Sequence, residues 1–246
     1  MNILFYCPFN FNIDSPYQKS LGGIESLNLE LSKYLSQSHY KIFLATNCKK
    51  IVKKKNLINI PINFLIKNIS NYKFDKIISS NDPSIFNHSK NSKNFLWIHN
   101  KLPLEKALRK KKFFSIIRNR ISAVFVSNYL LKKTSNIYNF KDKFVISNFL
   151  DPTFSDIKVK TNRKPYFIWS VQRKEGLKEI LNIWIKKIYN NNSKAKLFIF
   201  GVEKKSFTKK DIKTFLNYNI ILKGRVSKKI LKSHYNISMG MICLGY

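Results

Sequence analysis

The sequence predicts an α/β fold with two doubly wound parallel sheets, each covered by helices on both faces. Short β-branched or aromatic runs alternate with segments of helical period along the whole chain, which is the pattern of a parallel sheet with crossover helices. Residues 151–164 lose this periodicity and are polar and basic up to Pro165, where a new strand is predicted. We therefore predict a first domain over 1–155 and a second over 156–246.

The apolar runs predict six strands in the first domain and four in the second. Those of the first domain are 2–7, 41–46, 75–79, 94–99, 122–127 and 143–147, and those of the second are 165–170, 195–200, 219–223 and 237–244. The clearest helix covers 177–190, and another covers 24–37 after a Gly-Gly pair. A doubly wound domain normally continues beyond four strands, so we expect the second domain to be incomplete.

The formal net charge is +33, with 46 Lys and Arg against 13 Asp and Glu. A field of this strength attracts phosphate-rich partners. The cations are scattered along the chain without a zinc-finger or RNA-binding motif, so we attribute the charge to composition and do not expect a nucleic-acid partner. No apolar run reaches the ~18 residues of a membrane span, and residues 1–8 lack the basic start of a signal peptide. We expect a cytoplasmic protein.

The cysteines and histidines predict neither a disulfide framework nor a metal centre. Cys7, Cys48 and Cys243 are odd in number and widely spaced, and no HxxxH or HExxH spacing occurs among the histidines. The sequence also has no DxD motif that would hold a metal-bound nucleotide. We expect no metal and no cofactor.

Gly22 and Gly23 follow the first predicted strand and open a helix. Backbone amides at such a helix start can face an anion, and glycine lets a phosphate come close to them. A plain tight turn is the alternative. Glu25, in the first turn, is a further candidate site residue; the alternative is an acidic residue that only complements the helix dipole.

Eight segments, taken in order, cover nearly the whole chain. They are LGGIES at 21–26 with the helix to 35 and YKIF at 40–43, FDKIISSNDP at 74–83, LWIHN at 96–100, FVSNYL at 125–130, VISNFLD at 145–151, FIWSVQRKEGL at 167–177, LFIFG at 197–201 and IILKGRVS at 220–227. In this order they resemble the family-four retaining glycosyltransferases of the GT-B fold. The resemblance implies a Rossmann-like acceptor-side domain followed by a partial Rossmann-like donor-binding domain.

The resemblance also implies a reaction and its residues. A hexosyltransferase of this kind moves a sugar from a nucleotide sugar to a saccharide or lipid-linked acceptor, as in polysaccharide biosynthesis. The donor diphosphate would lie between Gly22-Gly23 and the cations Arg173 and Lys174, which would meet the charge on the leaving group. His99 would orient the donor sugar.

Other readings of these residues stay open. Arg173 and Lys174 could be two more surface cations, and His99 could be a histidine satisfied by protein partners. Ser170, near the position where the family has an arginine, and Gly201, after the next strand, complete the candidates.

One family motif is missing. The acidic ExxxxxxxE sequence that holds the donor ribose would fall just beyond Tyr246, so we expect a C-terminally truncated chain that is inactive by itself. A non-catalytic GT-B relative that binds an anionic membrane or a partner enzyme is the alternative function.

Residues 105–120 combine cations with Phe113, Phe114, Ile116 and Ile117. Such a segment could rest on an anionic bilayer, at the inner face of the membrane. The alternative is an ordinary amphipathic helix that packs its apolar side against the sheet.

Overall fold

Twelve strands and eight α-helices are found in the part of the chain that the computed structural model describes, which is residues 1–15, 21–88, 91–150, 154, 162–170 and 176–243. These residues form two units, one within 1–150 and one within 154–243. Each unit has its own sheet and its own core. The predicted boundary at residue 155 falls outside the described residues and stays a prediction.

The first unit is built on an eight-stranded sheet. Its strands are β1 (Asn2–Tyr6), β2 (Lys41–Thr46), β3 (Val52–Lys54), β4 (Leu57–Pro61), β5 (Lys76–Ser80), β6 (Lys93–Ile98), β7 (Ser122–Phe125) and β8 (Lys143–Val145). They lie in the order β3-β4-β2-β1-β5-β6-β7-β8, and every pair is parallel except the β3–β4 hairpin. The order reverses between β1 and β5, and in such sheets a crevice opens there at the carboxyl ends of the strands.

The prediction of six strands for this unit is wrong, because β3 and β4 were not predicted. β3 is a short edge strand that exposes Lys53 and Lys54, so it has no apolar alternation. The turn that follows places Lys55 in the left-handed region, at φ 49°. β4 has the fully buried Asn59 at its centre, and this polar residue interrupts the apolar run.

Helices cover both faces of the first sheet. They are α1 (Gly23–Ser36), α2 (Ile62–Lys67), α3 (Leu104–Arg109), α4 (Lys112–Arg118) and α5 (Asn128–Lys133). Successive residues of β1 point to opposite faces: Ile3 and Phe5 pack in a core with Leu29 of α1, whereas Leu4 and Tyr6 join the larger core on the other face. The helix predicted at 24–37 is confirmed as α1.

The second unit has a four-stranded sheet in which all neighbours are parallel. Its strands are β9 (Lys164–Ser170), β10 (Lys196–Phe200), β11 (Ile220–Gly224) and β12 (Ser238–Met241), in the order β11-β10-β9-β12. Its helices are α6 (Leu177–Ile183), α7 (Lys209–Asn217) and α8 (Lys228–Ile237). The four strands that we predicted for this unit are therefore found.

The helix predicted over 177–190 is present but changes its winding. α6 continues as a wider π-helical turn over Trp184–Tyr189. Trp184, where the wider turn begins, is fully buried, and its indole Nε1 donates a 2.8 Å hydrogen bond to the carbonyl of Tyr218. None of the helices within the described residues is both long and apolar enough to cross a bilayer.

Candidate functional site

The candidate site of the first unit lies where β1, β5 and β6 end, beside the reversal of strand order. Asn81 follows β5 and His99 follows β6. The backbone N–H of His99 donates to Asn81 Oδ1 at 2.8 Å, and the N–H of Asn81 donates to the carbonyl of Trp97 at 3.0 Å. Asn81 is left-handed, at φ 58°, which is tolerated by asparagine better than by most residues. The two strand ends are thus tied together directly below the His99 side chain.

His99 is half-buried, and both of its ring nitrogens are buried without a hydrogen-bond partner among the described residues. Among the described residues, nothing bonds to either of its ring nitrogens, and its ring centroid lies 4.6 Å from that of Trp97. Burial lowers the pKa of His99 to about 4, so the imidazole is neutral at physiological pH. A neutral imidazole offers one donor and one acceptor, and both are unused here. The described residues therefore do not supply the partners that a satisfied histidine would have.

Gly22 and Gly23 open α1 with a bare helix start. Gly22 is the N-cap in an extended conformation, and no side chain in the described part of the chain caps the first turn. Among the described residues, a Cβ built on Gly23 would meet nothing within 4 Å, so no described group blocks the approach to this turn. Glu25 lies in the same turn, and its charge adds to burial in raising the pKa of the Cys7 thiol. A small anion can approach these amides.

A buried polar pair that sequence reasoning missed holds α1 on the sheet. The side-chain amide of Asn28 donates to Ser80 Oγ at 2.9 Å and to the carbonyl of Ile24 at 2.9 Å. Asn28 is fully buried and Ser80 is almost so. Since Ser80 ends β5, this pair positions the start of α1 relative to Asn81. The sequence carried one signal for this pair, which is an asparagine on the side of a predicted helix that packs against the sheet.

Lys112 was also missed as a site residue. Its Nζ donates to the carbonyl of Asn81 at 3.0 Å and lies 3.4 Å from a carboxylate oxygen of Asp82. Asp82 also acts on Tyr6, whose pKa is raised mainly by burial. Lys112 therefore braces the turn after β5 by charge and by hydrogen bonding.

In the second unit, Ser170 and Gly201 lie at the same edge of the sheet. Ser170 ends β9 opposite Phe200, and Gly201 follows at φ 86°, with its N–H donating to the carbonyl of Gly224 at 2.8 Å. Gly224 is also left-handed, at φ 65°, and a Cβ there would come within 3.2 Å of the Glu203 carboxylate. The left-handed backbone at both positions favours glycine, which explains why these turns contain it.

Arg173 and Lys174 lie outside the described residues. Their predicted role in meeting the donor phosphate, together with the cleft predicted between them and Gly22-Gly23, stays a prediction. Within the described ranges, no three His, Cys, Asp or Glu side chains come close enough to hold a metal ion. The expectation from the sequence that no metal is needed also stays a prediction.

Sequence comparison does not establish a family. No family model matches the chain. A curated protein, the eukaryotic translation initiation factor 2-alpha kinase 2 of Plasmodium berghei (strain Anka), is 26% identical over an alignment of 232 positions that covers 86% of this chain. The chain spans only 8% of the length of that protein. The activity and partners of the whole protein are therefore matters for proposal.

Comparison of structures is more informative. The chain is similar to AviGT4, a glycosyltransferase involved in avilamycin A biosynthesis, with a TM-score of 0.62 and 11% identity over 98% of this chain and 69% of that one. The chain is also similar to a glycosyltransferase from Rickettsia africae ESF-5, with a TM-score of 0.66 and 15% identity. That match covers 98% of this chain and 72% of the other. A third similar structure is WaaG, a glycosyltransferase involved in lipopolysaccharide biosynthesis, with a TM-score of 0.61 and 9% identity. That match covers 93% of this chain and 72% of the other. At these identities the likeness concerns the fold alone, and it confirms the predicted α/β fold of GT-B type with two Rossmann-like parallel-sheet units.

Proposed function

We propose that the protein is a glycosyltransferase of hexosyltransferase type. It would move a sugar from a nucleotide-sugar donor to a saccharide or lipid-linked acceptor with retention of anomeric configuration, in cell-surface polysaccharide synthesis. One observation carries the proposal: in a GT-B fold, a half-buried histidine whose two ring nitrogens are buried and unused among the described residues lies at the carboxyl edge of the first sheet. Membership of family four is part of the proposal.

The diphosphate of the donor would sit against the start of α1. The free amides of the first turn and the positive end of the helix dipole favour an anion there. Gly23 leaves that approach open, and Asn28 keeps the helix start fixed. Arg173 and Lys174 would add positive charge as the bond to the diphosphate breaks.

His99 would hydrogen-bond a hydroxyl of the donor sugar. Because its imidazole is neutral, it would orient the sugar as donor and acceptor without contributing charge. Its backbone is held by Asn81, and that turn is braced by Lys112. The supporting residues would thus limit the motion of the ring.

A nucleotide titration followed by NMR tests this proposal. We expect UDP, GDP or ADP to shift the amide signals of Gly23 and Ile24, and the matching nucleotide sugar to shift the His99 ring as well. Sugar transfer is then measured with the protein expressed from its complete open reading frame, in wild-type and His99→Ala forms. If no nucleotide moves the α1 signals and no donor is consumed, the proposal is wrong.

Replacing Gly23 by aspartate should weaken nucleotide binding without destabilising the fold. The new carboxylate would fill the open space and repel the diphosphate, so we expect about a 10-fold or greater loss of affinity. The helix itself gains, because aspartate suits a first turn and glycine costs roughly 0.5–1 kcal/mol in a helix. Titration calorimetry and thermal unfolding measure the two effects.

Gly240→Ala is the control for this substitution. Its Cβ would make only ordinary contacts, 3.9 Å or more from Phe167, in the second unit. Nucleotide affinity should not change in this variant. If the Gly23→Asp variant binds the nucleotide as tightly as the wild type, the diphosphate does not bind at the start of α1.

We also propose that the first unit contacts an anionic membrane. The predicted segment 105–120 forms α3 and α4, separated by Lys111 in the left-handed region at φ 56°. Ile116 is buried, but Phe114, Ile117 and Leu108 are 63%, 44% and 41% exposed. The amphipathic-helix alternative therefore accounts for only part of the apolar side chains. Exposed apolar groups among cations suit an anionic bilayer surface, and the same surface would serve a non-catalytic relative.

A double substitution, Phe114→Ser with Ile117→Ser, should reduce vesicle binding. Burying one such side chain contributes about 1.5–3 kcal/mol when complete, so partial insertion of two predicts at least a ~10-fold loss of affinity. Co-sedimentation with phosphatidylglycerol vesicles measures it. Leu216→Ser is the matched control, since Leu216 is 64% exposed on α7 of the second unit. Equal losses in both variants would refute a specific surface on α3 and α4.

A further inference from the structure

A cavity with four lysines opens beside the candidate site in the first unit. It has a volume of about 180 Å³, with the buried Leu96 and Ile98 as its floor. Lys101, Lys106, Lys110 and Lys112 line it, and no acidic residue is among the described residues that do so. The space is smaller than the roughly 300 Å³ of typical small-molecule pockets, so it suits a single small group.

Two of these lysines are already engaged. Lys112 bonds to the carbonyl of Asn81 and pairs with Asp82. The Nζ of Lys101 lies 5.5 Å from the ring centroid of Tyr129, and through a hydrogen bond and its charge it lowers the pKa of the Tyr129 hydroxyl. These contacts hold two positive charges at the cavity without neutralising them fully.

The other two lysines lie one helical turn apart. The N–H of Lys110 donates to the carbonyl of Lys106 at 3.1 Å, so both side chains follow the same side of α3. Neither ammonium group has an ion pair within the described part of the chain. Like charges at this spacing repel each other, and an anion between them would turn repulsion into attraction. The cavity therefore has the charge and size of a site for a small anion.

Asn81 connects this cavity to the candidate site. It lines the cavity, and its Oδ1 accepts the hydrogen bond from the N–H of His99. A group bound by the lysines would therefore lie next to the turn that carries His99. Gly22 and Gly23 at the start of α1, which we assign to the donor, are not among the described residues that line this cavity.

We propose that the four-lysine cavity binds a phosphate group of the acceptor. This inference rests on the proposed glycosyltransferase function and adds the substrate class, a phosphorylated saccharide. The lysines hold the phosphate by charge-assisted hydrogen bonds, and the sugar extends from it towards His99.

Titration with glucose 6-phosphate tests the proposal, with Lys106→Gln/Lys110→Gln as the variant. We expect this double variant to bind about 10-fold more weakly than the wild type, because two charge-assisted contacts are lost. Lys209→Gln/Lys213→Gln is the control: both lysines are exposed, one turn apart on α7, and their loss changes the net charge equally. Unchanged affinity in the first variant, or an equal loss in the control, would overturn the proposal.

Other probes separate the sources of phosphate. Glucose 6-phosphate should bind more tightly than inorganic phosphate and should shift the amide signals of Ala107 and Lys110. If the Lys106→Gln/Lys110→Gln variant no longer binds phosphatidylglycerol vesicles but still binds glucose 6-phosphate, the cavity binds a lipid headgroup and the proposal is wrong.

The donor site gives an independent result. UDP, GDP or ADP reports on Gly23, so a failure of nucleotide binding is distinguishable from a failure at the lysines. A saturating nucleotide should leave glucose 6-phosphate bound, and displacement by the nucleotide would place both in one site and refute the inference.

Discussion

Replacing His99 by asparagine is expected to flatten the pH dependence of folding stability between about pH 6.5 and pH 4. Burial lowers the pKa of His99 from 6.5 to about 4 in the folded protein. Between these values the unfolded chain binds a proton that the folded chain does not, so the free energy of unfolding falls as the pH falls. The wild type keeps the full contribution above pH 6.5 and loses it towards pH 4.

The expected size of this effect is about 1–3 kcal/mol, after allowance for the partial exposure of the ring to solvent. Urea unfolding at several pH values measures it in both proteins, and the difference between them isolates His99 from the carboxyl groups that titrate in the same range. His39→Asn, which removes an exposed histidine, is the control substitution. Parallel curves for wild type and His99→Asn would show that His99 is not desolvated.

At neutral pH the same substitution should change stability little. Neither ring nitrogen has a partner among the described residues, so no protein hydrogen bond is lost. An effect of His99→Asn on sugar transfer without an effect on folding at neutral pH would therefore point to contact with a substrate. This combination separates a site histidine from a structural one.

The order of strands and helices could be read from the sequence because it depends on local patterns. Each of the ten predicted strands occurs within a few residues of its expected position. β3 was not predicted because an exposed lysine-rich edge strand has no apolar alternation. β4 was not predicted because Asn59 lies in its buried centre and interrupts the apolar run. Both failures come from packing around the strand, which periodicity does not report.

The candidate site was predictable only in part. His99 follows β6 and Gly22 opens α1, as the predicted order of elements required, whereas their role in one site stays a prediction. The Asn28–Ser80 and Lys112–Asn81 contacts join residues 52 and 31 positions apart. Such contacts depend on how a helix lies on the sheet, and one sequence does not report that.

The net charge includes one local concentration of lysines that composition alone does not assign to a site. Most lysines are scattered along the sequence, as expected from a compositional bias. The four that line the cavity all lie within residues 101–112, so their proximity in sequence could be seen. That they surround a cavity beside Asn81 depends on the fold and could not be read from the sequence.

The largest loss of stability is expected from Asn59→Ala. The Asn59 amide donates to the carbonyl of Leu44 at 2.7 Å and to Thr46 Oγ1 at 2.9 Å, and its Oδ1 accepts from the N–H of Ile13 at 3.2 Å. Thr46 in turn donates to the carbonyl of Phe11 at 2.7 Å. Asn59 and Thr46 are both fully buried, so removing the amide deletes three buried hydrogen bonds, while Thr46 keeps its bond to the carbonyl of Phe11.

We expect Asn59→Ala to lower the free energy of unfolding of the first unit by about 2–4 kcal/mol. Urea unfolding followed by NMR signals of the first unit measures it separately from the second. Asn56→Ala is the matched control three positions earlier: it is exposed, its amide reaches two carbonyls at only 3.4–3.5 Å, and it should cost less than about 0.5 kcal/mol. Since Phe11 and Ile13 lie after β1 and are tied to Asn59 and Thr46, the variant should also loosen the segment from Phe11 to Ile13. Equal midpoints for the two variants would show that this network does not hold that segment in place.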